Sequence, residues 1–69
     1  MKQPINDNAL KLLNLTIDDY LLWCKCHNYS INNKKIKTEF FRLFYDRVII
    51  KKHGKLYENG EELLCETNN

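Results

Sequence analysis

The sequence predicts an α+β domain, three short helices followed by a β-hairpin, and three observations lead there. Apolar residues recur at helical spacing in two stretches between Thr16 and Asp46. A β-branched run, Val48-Ile49-Ile50, follows directly. Beyond it come His53-Gly54 and Asn59-Gly60, which contain the chain's 2 glycines and read as tight turns.

Residues Met1 to Asp7 form a polar lead. Asp7 or Asn8 is placed to cap a brief helix carrying Ala9, Leu10, Leu12 and Leu13. Thr16 opens a second helix, because its hydroxyl stands before the acids Asp18 and Asp19 of a first turn. Ile17, Tyr20, Leu21, Cys24 and Asn28 then fall on an i, i+3, i+4, i+7 ladder with Trp23 on its flank, so this helix packs through one face. Asn28-Tyr29-Ser30-Ile31-Asn32-Asn33 interrupts the pattern with side chains that compete for backbone hydrogen bonds. A third helix, capped by Asn32 or Asn33, is expected from Lys34 to Asp46, with Ile36, Phe40, Leu43 and Phe44 inward. Trp23, Phe40 and Phe44 are the expected large core residues. Strands flank His53-Gly54, and the acidic stretch after Gly60 adds a last short strand or frays, as do residues 64–69.

This order is winged-helix-like, although other small α+β domains share it. The 69 residues make one domain, 1–69, with 43% hydrophobic and 12% aromatic residues supplying a single core. A chain of this length buries only about 60% of its unfolded surface, which leaves little room for a deep catalytic cleft. No apolar stretch approaches a membrane span, and the start lacks the apolar run of a signal peptide, so a cytoplasmic protein without a membrane partner is expected. An odd count of 3 cysteines fits free thiols in a reducing compartment.

The net charge of +2 is small, but its distribution is not even. Between Asn33 and Leu56 eight basic residues face only Glu39 and Asp46, a local charge of +6; the rest of the chain carries −4. At 100° per residue, Lys34, Thr38, Phe41 and Tyr45 lie opposite the apolar stripe of the third helix, with Lys35 and Arg42 beside them. Lys51, Lys52, His53 and Lys55 surround the hairpin tip. Lys, Arg, Thr and an exposed Tyr on one helix face pair with phosphates and reach base edges. The expected DNA contacts are therefore Lys34, Lys35, Thr38, Arg42, Tyr45, Lys51, Lys52 and Lys55. They are expected to converge on one side, away from Glu61, Glu62 and the acidic start of the second helix. The competing reading is that the charges are a solvated face and the Lys-rich tip an edge-protecting device.

Other chemistries fit poorly. Cys24 and Cys26 project about 200° apart on a helix, so Cys24-x-Cys26-His27 cannot close on one ion even with Cys65 and His53 nearby in sequence. Neither His27 nor His53 has a nucleophile or acid at a catalytic spacing, and no glycine loop could cradle a phosphate. Catalytic residues, metal and cofactor are all expected to be absent, and the chain is expected not to be an enzyme or to take a small-molecule substrate.

Tyr20-x-x-Trp23-Cys24, Ser30, Phe40, Leu43, Gly54-Lys55-x-Tyr57, Gly60 and Leu63 resemble the C-terminal winged-helix domain of primase–helicases from phages, plasmids and large DNA viruses. The likeness covers residues 20–63, mostly at packing positions. It lacks that family's ATPase and primase regions and the proline of its turn, and Cys26-His27 stands where the family carries polar residues. The resemblance implies a free-standing DNA-contacting module of a phage or other mobile element. From a different class, the alternative is a small effector that docks on a host protein, as a monomer or homodimer.

Overall fold

The computed structural model describes residues 5–64. Three helices, α1 (Asp7–Leu12), α2 (Ile17–His27) and α3 (Lys34–Tyr45), precede three strands, β1 (Ile49–Lys52), β2 (Lys55–Glu58) and β3 (Glu61–Glu62). The strands form an antiparallel sheet in the order β1-β2-β3. This is the α+β, winged-helix-like layout read from the sequence, with the short third strand present. Cys65 and the rest of the acidic tail lie outside the described residues.

Each helix start has a side-chain cap. Asn6, rather than Asp7 or Asn8, caps α1 and accepts from the backbone N–H groups of Asn8 and Ala9. Thr16 and Asp19 form a reciprocal capping box: the Asp19 N–H donates to Thr16 Oγ1 at 3.3 Å, and the Thr16 N–H donates to Asp19 Oδ2 at 2.9 Å. Asn33 caps α3.

The helix ends share one solution. Leu15, Tyr29 and Val48 each donate a backbone N–H to the carbonyl five residues back, on Leu10, Cys24 and Leu43. The residue before each, Asn14, Asn28 or Arg47, is left-handed, with φ of 64°, 61° and 63°. This is the Schellman closure, usually made with glycine. Asparagine tolerates the conformation, whereas arginine is an unusual choice for it.

The core gathers where α2 crosses α3. Tyr20, Trp23, Cys24 and Phe40 are fully buried. Phe40 meets Tyr20 edge-on at 5.3 Å and Trp23 at 5.2 Å, and the Tyr20 hydroxyl donates to the Ile31 carbonyl at 3.0 Å. Trp23 thus sits at the centre of the α2 face, not on its flank. Burial raises the Tyr20 phenol and the Cys24 thiol above their usual pKa values, which keeps that thiol inert. Phe44 is only half-buried, packed against the core on one side and lining a surface groove on the other. Ile5 and Leu15 complete the core from outside regular elements, joined by Leu10, Ile49 and Leu56. The Trp23 Nε1–H is buried without a hydrogen-bond acceptor.

In the hairpin Lys52 pairs with Lys55 across a two-residue turn, with His53 at φ 54° and Gly54 at φ 75°. Both angles are positive, as a type I′ turn requires. Asn59-Gly60 repeats the device between β2 and β3, at 55° and 81°. Directly opposed residues share a face, so Ile49, Lys51, Leu56 and Glu58 turn toward the helices. Ile50, Lys52, Lys55 and Tyr57 turn away from them.

Replacing Phe40 with Ala should cost about 3–5 kcal/mol, enough to abolish folding in a domain this small. Thr16→Ala should cost about 1 kcal/mol by removing half of the capping box, a fall in melting temperature of roughly 4–8 °C. Circular-dichroism melting separates the two. A Phe40→Ala protein melting within a few degrees of the parent would contradict the packing described.

Candidate functional site

The charge segregation read from the sequence is sharpened by intramolecular pairing. Among the described residues Lys11 pairs with Asp7, Arg42 with Glu39 and Asp46, Lys51 with Asp19, and Lys55 with Glu62. His27 Nε2 lies 2.7 Å from Glu58 Oε1. These pairs leave Asp18 and Glu61 as the described acids without an ion-pair partner. Lys25, Lys34, Lys35, Lys37, Arg47 and Lys52 are the described cations in that position.

The eight sequence-selected residues therefore divide. Lys34 and Lys35 are exposed in the first turn of α3, beside half-exposed Lys37. Positive charge there opposes the helix dipole, and α1 and α2 instead carry acids in their first turns. Lys52 is exposed beside the hairpin turn, and Tyr45 is 80% exposed at the end of α3. Thr38 spends its hydroxyl proton on the Lys34 carbonyl at 3.2 Å.

Arg42, Lys51 and Lys55 do not stand free, which corrects the expectation that the basic residues lie away from the acidic ones. The Arg42 guanidinium contacts Glu39 at 2.6 and 3.1 Å and Asp46 at 3.2 Å. Hydrogen bonding to Arg42 holds the Glu39 carboxyl below its usual range and raises Arg42 in turn. The two acids flank Arg42 at helical spacing, Glu39 at i−3 and Asp46 at i+4. Lys51 reaches inward to Asp19, in the acidic start of α2, at 2.8 Å. Its side chain is 23% exposed and that of Asp19 13%. Lys55 approaches Glu62 diagonally across the sheet at 3.9 Å.

Arg47 and Tyr57, which the sequence argument did not select, help line two surface grooves. One, of about 340 Å³, runs between Leu13, the end of α3 at Phe44, Tyr45 and Arg47, and the β1 edge. The other, of about 330 Å³, lies on the outer sheet face between Ile50, Lys52, His53, Tyr57 and Gly60. Ile50 lines both, and no carboxylate lines either. A third groove, of about 300 Å³ beside His27, is lined instead by Glu58, Glu61 and Glu62. Period-2 alternation around Ile50 could have exposed Tyr57, but Arg47 reads as a helix-end residue until the turn of the chain is known.

Among the described residues no three His, Cys, Asp or Glu side chains are arranged to hold a metal ion, and no helix is long and apolar enough to cross a membrane. Comparison with protein-family models, with curated proteins and with solved structures gives no match.

The Lys51–Asp19 pair belongs to the fold. Asp19 Oδ2 accepts from both the Thr16 N–H and the Lys51 ammonium, so β1 is tied to the cap of α2. Lys51→Ala should cost about 1.5–3 kcal/mol, the value of a hydrogen bond to a charged group, whereas exposed Lys52→Ala should stay within about 0.5 kcal/mol. Urea denaturation of the two variants measures the difference. Equal stabilities would remove the structural role assigned to Lys51.

Proposed function

We propose that this protein is a small, non-enzymatic DNA-binding module, and the observation that carries this reading is the residue of charge left after internal pairing. Five of the six described cations without an ion-pair partner lie between Lys34 and Lys52. A surplus of one sign, gathered on neighbouring elements and left unneutralised, attracts a polyanion. The lysines at the start of α3 add weight. They sit where the helix dipole makes cations unfavourable, so folding gives no reason for them. The likeness to the winged-helix domain of primase–helicases points the same way, toward the replication, excision or transcription of a phage or other mobile element in the cytoplasm.

The contact set differs from the one composed from sequence. Lys34, Lys35, Lys37, Arg47 and Lys52 are the cations available for phosphates, with Tyr45 lining the same groove as Arg47. Arg42, Lys51 and Lys55 are occupied by their own acids. A second reading, docking on a host protein, draws on the exposure of Leu12 at 87% together with Tyr45 and Ile50.

The test is affinity for DNA as a function of salt. Binding should weaken steeply, by about 0.9 log units per phosphate contact for each tenfold rise in salt on duplex, or about 0.7 on a single strand. Lys34→Ala with Lys35→Ala should flatten that slope while leaving the melting temperature equal or higher, because dipole repulsion is relieved. Absence of detectable binding to duplex and to single strands in low salt would end the DNA reading and leave the protein-docking one.

A further inference from the structure

We infer that the DNA taken by this module is an unpaired strand, laid along the trough that runs from the end of α3 around the β1 edge onto the outer sheet face. The inference rests on the DNA-binding reading and names the form of DNA the surface suits. The trough is the two grooves of about 340 and 330 Å³ that share Ile50.

Its chemistry is that of a stacking platform. Tyr45, 80% exposed, stands at one end and half-buried Tyr57 at the other, with the Ile50 side chain between, 39% exposed. Arg47 and Lys52, neither with an ion-pair partner among the described residues, flank the apolar floor, and His53 closes the far end. Aromatic rings interleaved with cations are what unpaired nucleotides require, since each base offers a face to stack and each linkage a phosphate to neutralise. A duplex hides its base faces and would gain nothing from the tyrosines. No carboxylate is in the lining, whereas the neighbouring groove has three, and Glu62, opposite Tyr57 on the same face, is paired with Lys55.

Arg47 supplies independent support. It holds φ at 63°, in a closure that asparagine makes at the other two helix ends. Strain of this kind marks positions where a side chain is kept for a reason other than stability. It lines the same groove as Tyr45, and a guanidinium can both pair with a phosphate and stack on a base.

Fluorescence anisotropy with labelled oligothymidylate and with a hairpin duplex of equal phosphate number tests this on the full chain in low salt. The single strand should bind at least about tenfold more tightly. Tyr45→Ala should weaken single-strand binding by roughly 5- to 150-fold, the range for losing one stacked base, while duplex binding and melting temperature stay unchanged. Tyr45→Phe should restore it. Arg47→Gly should weaken single-strand binding yet melt at or above the parent's temperature, since glycine relieves the strained φ. Duplex binding as tight as single-strand binding, or a Tyr45→Ala protein that binds the single strand as the parent does, would overturn the inference and leave the broader DNA reading intact. Failure of both ligands to bind would instead remove that broader reading.

Discussion

Everything else in the structure is arranged around the seating of Phe40 between Tyr20, which it meets edge-to-face, and Trp23, which it meets tilted at 44°. Those three rings are the contact through which α2 and α3 cross, and none of them reaches solvent. A chain of 69 residues has few ways to exclude water, so a single large aromatic contact must stand in for a layered core. Farther along α3, Phe44 packs against the core half-buried and Tyr45 is exposed. The sheet is fixed against the same helices through Ile49 and Leu56, and through Lys51 and Glu58 on α2.

Charge is divided between structure and surface by the same geometry. The inner face of the sheet carries Lys51 to Asp19 and Glu58 to His27, near opposite ends of α2, so two side-chain contacts tie the hairpin to that helix. Partly buried pairs of this sort orient elements more than they stabilise them, because desolvation offsets much of the attraction. The acids are thereby absorbed into the fold. What is left without an ion-pair partner among the described residues is predominantly basic, six cations against Asp18 and Glu61.

The helix ends show a related economy. With two glycines in the whole chain, both committed to type I′ turns, the left-handed closures fall to Asn14, Asn28 and Arg47. The first two choices are conformationally mild. The third places a long cation at the junction of α3 and the sheet, where the surface is apolar and aromatic. Stability does not account for the choice at Arg47, nor for the lysines of the first turn of α3, where a cation opposes the helix dipole.

By itself the sequence determined the local elements. Thr16 and Asp19 define the start of α2 because a capping box needs only residues three apart, and His53-Gly54 defines the hairpin because few pairs accept two positive φ values. The helical period likewise put Phe40 inward, and the clustering of lysines was visible as a sum along the chain. Tertiary structure decided which of those charges remain available. Arg42 might have been found from Glu39 and Asp46 at helical spacing, but Lys51 meets Asp19 across 32 residues and His27 meets Glu58 across 31. No local pattern carries such distances. Trp23 moved from flank to centre, and Phe44 from core to groove, for the same reason: a helix shows which residues share a face, while only its crossing partner determines how much of that face is covered.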